Sequence, residues 1–117
     1  RVLPVIEIRS PNGFYDYDAK YVYNQGHTNY FCPPETVSGA IQKVAQEYSL
    51  AFYRAAGCRD LLRVDFIIDE SGIPMMLEGN SLPGFTATSL VPKAAQTAGL
   101  SFEQLCSELI ESAANRK

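Results

Sequence analysis

The chain of 117 residues has one histidine, His27, and only three cysteines, Cys32, Cys58 and Cys106, at no paired spacing. A lone imidazole and unpaired thiols supply neither a Cys/His zinc site nor a disulfide framework, so the cysteines read as reduced thiols used in packing. Positive charge is scarce as well. Ten Lys and Arg stand against thirteen Asp and Glu, a net charge of −3. No basic stripe marks a nucleic-acid footprint, and the acidic balance argues against an anionic membrane surface. No apolar run approaches the ~18–20 residues that span a bilayer. Arg1 to Pro4 leads into no h-region and small-residue cleavage site. No initiator methionine, internal repeat or low-complexity stretch is present. These absences predict a cytoplasmic location and point to a piece of a longer polypeptide.

What is there fits one α+β domain over residues 1–117. With 46% hydrophobic residues, a domain of this size is expected to bury roughly two thirds of the surface its unfolded chain exposes. Val2 to Arg9, apolar and β-branched, predicts a strand with Pro4 near its start. Pro11-Asn12-Gly13 is a turn signal. The aromatic run Phe14 to Tyr23 suits a strand or an ordered loop, and Asn24 to Pro34 a loop or short strand. Val37, Ile41, Val44, Ala45, Tyr48, Phe52 and Ala55 repeat at three and four, which predicts a helix over Glu35 to Ala56 closed by Gly57. Leu61 to Asp69 and Ile73 to Asn80 read as a hairpin. A loop through Pro83 and Gly84 leads to a short helix, Leu90 to Ala98, with Pro92 tolerable in its first turn. A last helix, Ser101 to Ala113, opens on a Ser101/Gln104 capping box with a Leu100/Leu105 staple. The order predicts helices packed on one side of a largely antiparallel sheet.

The hairpin gathers charge. If Ser71 and Gly72 are its centre, Asp69 faces Pro74, Asp65 faces Glu78 and Arg63 faces Asn80. Alternation then sends Leu62, Val64, Phe66 and Ile68 to the core and Arg63, Asp65, Glu78 and Asn80 to the other face. Opposed carboxylates ~5 Å apart repel by about 3 kcal/mol at an effective dielectric of ~20. Compensation is expected either from Arg63 or from a hard cation. Three oxygen donors without sulfur or imidazole favour Mg²⁺ or Mn²⁺ over zinc. The plain alternative is a solvated charged face on an edge hairpin. Against it stands the segment that follows, Asn80 to Thr86, rich in small residues and amides and suited to wrapping an anion or a reacting carbonyl.

These residues carry a family resemblance. Arg63-Val64-Asp65-Phe66, then Leu77 to Thr86 (LEGNSLPGFT), then Ser89 to Ala95 (SLVPKAA) resemble the C-terminal part of the D-alanine–D-alanine ligases of the ATP-grasp superfamily. Phe14 to Tyr21 (FYDYDAKY) is similar to their lysine-bearing active-site loop, and Tyr30 to Pro33 to the segment after it. The resemblance runs from about Leu3 to Ile110. It implies the ATP-grasp C-terminal subdomain, with the N-terminal substrate domain and most of the central ATP-binding domain absent from this chain. It implies Asp65, Glu78 and Asn80 as ligands of Mg²⁺ (or Mn²⁺), two ions in all, that hold the ATP phosphates. Arg63 would stabilise charge on the transferring phosphoryl group and the tetrahedral intermediate. Lys20 would lie near the γ-phosphate, and Tyr21 would help the loop close. The Gly84 amide would serve the oxyanion, Ser89 and Leu90 the carboxylate of the second D-alanine, and Leu77 the adenine. The parent would be a homodimeric ligase that makes D-alanyl-D-alanine through an acylphosphate, for peptidoglycan precursors and thus the cell wall and cell shape.

Plainer roles compete. Ser89 is also a natural N-cap, Gly84 can serve backbone conformation alone, and Lys20 can be a solvated loop lysine. Tyr15 and Tyr17 read as loop packing, Met75 and Met76 as strand filler, and His27 has no assigned role. Gly79 departs from the family, which usually has an aliphatic residue or alanine there. That predicts a looser strand at the metal site. A ligase using D-lactate or D-serine as second substrate is the neighbouring reading. For the 117 residues alone, the reading is an inactive or merely nucleotide- and Mg²⁺-binding fragment.

Overall fold

A computed structural model describes residues 1–9 and 29–116. The element order is β1 (Glu7–Arg9), β2 (Asn29–Phe31), α1 (Gly39–Ala55), β3 (Arg63–Ile68), β4 (Pro74–Asn80), α2 (Leu90–Thr97) and α3 (Phe102–Ala114). The described strands form two antiparallel pairs, β1 with β2 and β3 with β4, rather than one continuous sheet. The class is α+β, as expected.

The strand expected over Val2 to Arg9 shortens to Glu7–Arg9. Among the described residues β2 offers three partners, and the stretch before β1 is held from α1 instead. Gln46 Nε2 donates to the Leu3 carbonyl at 2.9 Å. The long helix begins four residues later than expected. The amides of Glu35 and Thr36 donate to the Glu7 carboxylate at 2.9 and 2.8 Å, so the chain there is a strap across β1. Helix α1 opens at the Ser38 N-cap, whose hydroxyl accepts from Ile41 N–H at 3.3 Å.

Helices α1 and α2 end alike. Gly57 (φ +66°) and Gly99 (φ +89°) sit just past the caps, and the next residues donate back, Cys58 to the Tyr53 carbonyl and Leu100 to the Ala95 carbonyl. That is the Schellman closure, which needs a left-handed residue. The capping box of α3 forms as expected: Gln104 N–H donates to Ser101 Oγ at 3.1 Å and Ser101 N–H to Gln104 Oε1 at 2.8 Å.

Among the described residues, the buried apolar residues other than proline are few and mostly small: Ala45, Val91, Ala94, Ala95 and Leu105. Leu3, Leu61, Phe85, Leu100 and Leu109 pack against the Val91–Ala95–Leu105 cluster. Within β3 and β4, Ile67, Met75, Met76 and Leu77 are exposed, so the methionines fill no core. The core therefore lies at the α2–α3 end, where it anchors the loop after β4.

Candidate active site

The hairpin register brings the expected residues together. Arg63 pairs with Asn80, Val64 with Gly79 and Asp65 with Glu78. Beyond that point the pairing slips by one, Phe66 to Met76 and Ile68 to Pro74, with the irregularity between Asp65 and Phe66. Asp69 therefore does not face Pro74. Leu77 is the extra residue of a β-bulge, a device that bends a strand and re-aims side chains and often sits beside active sites. Leu77 is 59% exposed there.

Arg63 pairs with one of the two carboxylates. Its Nε donates to Asp65 Oδ1 at 2.9 Å and its Nη2 to Asp65 Oδ2 at 3.2 Å. Residues two apart on a strand share a face, which is what lets this fork close along β3. Both side chains are half-buried, at 19% and 27% exposure, where the pair is screened less than on an open surface. Asn80 Oδ1 accepts from Leu82 N–H at 2.9 Å and so ties the start of the loop to the end of β4. The Asp65 carboxylate oxygens and the Asn80 amide oxygen have lone pairs beyond those bonds. The donor set suits a hard divalent cation shared with phosphate oxygens. Among the described residues no group of three or more His, Cys, Asp or Glu could hold a metal ion. The candidate site has two carboxylates and an amide.

Gly79 leaves room for an aromatic ring behind β4. A Cβ placed there would lie 2.7 Å from Cε1 and 3.2 Å from Cζ of Phe52. The ring of α1 occupies the space that any other residue's Cβ would need. Phe52 thus props the strand between Glu78 and Asn80 from behind.

The loop beyond β4 is pinned at two points. Pro83 is buried, and Phe85 packs on the α2–α3 core with its ring centroid 5.4 Å from that of Phe102. Between them Gly84 is exposed, its Cβ direction 3.4 Å from Ser89 Oγ. Gly84, Ser89 and Leu90 are therefore brought together. Ser89 occupies the N-cap of α2 but makes no side-chain capping bond. Its hydroxyl turns back and accepts from Thr86 N–H at 2.9 Å. Among the described residues, the first-turn amides of Leu90 and Val91 are left uncapped by any side chain, and Pro92 has no N–H to cap.

Lys20, Tyr21, Tyr15, Tyr17 and His27 lie outside the described residues. The segment that carries them leaves and re-enters at Arg9 and Asn29, which pair directly. Behind that base lies a residue that sequence reasoning missed. Glu7 is 8% exposed and accepts from the Thr36 hydroxyl as well as from the two strap amides. Arg9 Nε lies 3.2 Å from it. Burial pushes its pKa upward, but the Thr36 hydroxyl and amide, the Glu35 amide and the Arg9 charge outweigh that and hold it below the usual value. The available signal was an acid inside the β-branched run Val5 to Ile8.

A family model described as D-ala D-ala ligase C-terminus matches residues 1–111. The chain belongs to that family. It is 46% identical over 114 residues to a D-alanine–D-alanine ligase of Methylacidiphilum infernorum, covering 95% of this chain and 36% of that one. It is 46% identical over 112 residues to the same enzyme of Pelotomaculum thermopropionicum, covering 93% and 33%. The chain thus spans about a third of the length of these relatives. Two of the solved structures that resemble it show the likeness. One is the Bacillus anthracis D-alanine–D-alanine ligase complexed with ATP, with TM-score 0.75, 36% identity, and coverage of 96% of this chain and 35% of that one. The other is the VanG D-Ala:D-Ser ligase of Enterococcus faecalis, with TM-score 0.75, 34% identity, and coverage of 93% and 31%. The ATP-grasp expectation for the fold agrees with these neighbours. No helix among the described residues is long and apolar enough to cross a membrane.

Proposed function

We propose that residues 1–117 are the C-terminal subdomain of an ATP-dependent ligase that joins two D-alanines. The observation that carries this reading is the Asp65–Glu78 and Arg63–Asn80 register, followed directly by a pinned loop that sets Gly84 beside Ser89. Asp65, Glu78 and Asn80 would hold Mg²⁺ (or Mn²⁺), whose chemistry is to neutralise phosphate charge.

Within this reading the chain's own groups have separate tasks. Arg63 lies beside the carboxylates, where its guanidinium faces the charge that develops on the γ-phosphoryl group as the first D-alanine's carboxylate attacks it. The Gly84 N–H donates to the oxyanion when the second D-alanine's amine adds to the acylphosphate. The Ser89 hydroxyl and the Leu90 N–H bind that second substrate's carboxylate at the open end of α2, where the helix dipole favours an anion. Lys20 sits near the γ-phosphate, Tyr21 helps exclude water from the acylphosphate, and Leu77 lies against the adenine. The dipeptide would serve peptidoglycan precursors, and the parent would be a homodimer. The 117 residues alone form no dipeptide in this reading, because the resemblance places the purine cradle and the first-substrate pocket in parts that this chain lacks.

The test is ADP formation by the full-length protein carrying this segment. Turnover should require D-alanine, and turnover with L-alanine but not D-alanine refutes the reading. The likeness to a D-Ala:D-Ser ligase makes D-serine the second acceptor to try, with D-lactate beside it. Glu78→Gln should abolish metal-dependent turnover while the circular dichroism spectrum is retained. Unchanged turnover overturns the ligand assignment.

A further inference from the structure

The candidate acceptor site depends on one proton. A serine hydroxyl has one hydrogen to donate and two lone pairs to accept with. Ser89 Oγ already accepts from Thr86 N–H at 2.9 Å, which fills one lone pair. Its second close neighbour is the Thr86 hydroxyl at 2.8 Å, a contact in which either oxygen can be the donor. The two arrangements differ in consequence. If Ser89 donates, its hydrogen is spent on Thr86 and Ser89 presents no donor outward. If Thr86 donates, both Ser89 lone pairs are filled from one side, and the Ser89 hydrogen has to point away from Thr86, into the open end of α2.

The surroundings favour the second arrangement when an anion is present. Ser89 makes no capping bond, so its hydrogen-bonding capacity is not used up by its own helix. The Ser89 backbone is fixed on both sides, its N–H donating to the Thr86 carbonyl at 3.0 Å and its carbonyl accepting from Lys93 N–H at 3.1 Å. The Thr88 hydroxyl lies 3.4 Å from Thr86 Oγ1, close enough to lengthen the chain of hydroxyls. Hydroxyls in series polarise one another, so a donor behind Ser89 strengthens the bond Ser89 makes in front.

We propose that Thr86 is a positioning residue for the acceptor substrate: its hydroxyl donates to Ser89 Oγ and thereby aims the Ser89 proton at the carboxylate of the incoming amine. The proposal rests on the ligase reading above and deepens it, because Thr86 touches no reacting atom and acts only through Ser89. Thr86→Val keeps the shape and removes the hydroxyl. Thr86→Ser keeps the hydroxyl and removes the methyl.

The experiment is steady-state ADP formation by the full-length enzyme, with D-alanine saturation fitted to two sites and ATP varied separately. Thr86→Val should raise KM for the acceptor D-alanine about five- to tenfold, as expected for one weakened hydrogen bond to a charged group. It should leave KM for ATP unchanged, and Thr86→Ser should restore acceptor affinity. Thr86→Ala serves as a second hydroxyl-free variant should the valine fail to fold. An unchanged acceptor KM in a folded hydroxyl-free variant overturns the proposal. Equal rises in acceptor and ATP KM, or a Thr86→Ser variant as impaired as Thr86→Val, also overturn it by exposing a structural role. A wild-type enzyme without D-alanine-dependent turnover defeats the ligase reading itself, and the proposal with it, and shows in the control before any variant is compared.

Discussion

Gly79→Ala is the most informative single change, because a conservative methyl meets a specific obstacle. The added Cβ would stand 2.7 Å from Phe52 Cε1, whereas ordinary contact begins at 3.4 Å. The ring therefore has to retreat by about 0.7 Å, or β4 has to lift by that much between Glu78 and Asn80. Overpacking of this kind costs about 1–3 kcal/mol. Phe52 is 36% exposed, so its ring has room to swing, which keeps the cost toward the lower end. Alanine in place of glycine inside a strand returns about 0.5–1 kcal/mol of backbone entropy. The expected net loss is about 0.5–2 kcal/mol, read as a lower urea midpoint at constant m. Phe52→Leu removes the two clashing ring atoms. In that background Gly79→Ala should be neutral, or stabilising by up to about 1 kcal/mol. The double-mutant cycle should thus give a coupling of about 1–3 kcal/mol. Additive effects within about 0.5 kcal/mol would show that the ring and the glycine are not matched and refute the reasoning.

Glu7→Gln should lower stability at neutral pH by about 1–3 kcal/mol, the usual cost of leaving buried donors poorly satisfied. The Glu7 pKa is held below its ordinary value of 4.5, so the stability it contributes is present above that value and is lost as pH falls through the lower folded-state pKa. The gap between wild type and variant should therefore close below about pH 4.5 in acid-unfolding curves, and a gap independent of pH would discount the carboxylate's role. Phe85→Ala should cost about 2–4 kcal/mol and lower kcat in the ligase assay by loosening Gly84, with a stability loss and unchanged kcat arguing against the anchor. Ser101→Ala should cost about 1 kcal/mol by removing one half of the capping box, measurable as a lower Tm.

The legible parts of this fold were those fixed by local chemistry. Ser101 and Gln104 bond each other across one turn, Gly57 and Gly99 end helices, and alternation in Arg63 to Asp65 decides which side chains share a face. All of these depend on neighbours within a few residues. Two of the misjudged parts depend on partners far along the chain. Helix α1 starts at Gly39, after a strap whose Glu35 and Thr36 amides are held by Glu7, twenty-eight residues away from Glu35. The strand over Val2 to Arg9 stops short because α1 holds Leu3. The bulge at Leu77 leaves no mark in composition, so the register was right on the site side of it and wrong on the turn side. Ser89 has the residue type and position of an N-cap, yet its hydroxyl goes to Thr86, a choice between two local partners that spacing cannot decide.

The residues that bear chemistry and the residues that hold them in place are thus recognised by different signals. Asp65, Glu78 and Arg63 identify themselves by charge, and Asn80 by its amide, on one face of a hairpin. Behind β4 stands a ring under Gly79, and a second ring is wedged at the α2–α3 core beside the loop that follows. A phenylalanine reads as core wherever it falls, so nothing in the sequence marks Phe52 or Phe85 as an anchor. Yet rigidity at the site follows from them. Asn80 is tied forward to Leu82 and braced from behind through Gly79, while Gly84 is flanked by buried Pro83 and packed Phe85. The hairpin proposed to face the metal and the loop proposed to face the acceptor are consecutive in the chain, so a shift of β4 is expected to reach Gly84 through only four residues. This coupling separates two kinds of damage: substitutions behind the hairpin should disturb both halves of the site together, whereas Thr86, at the far end of the loop, should disturb one.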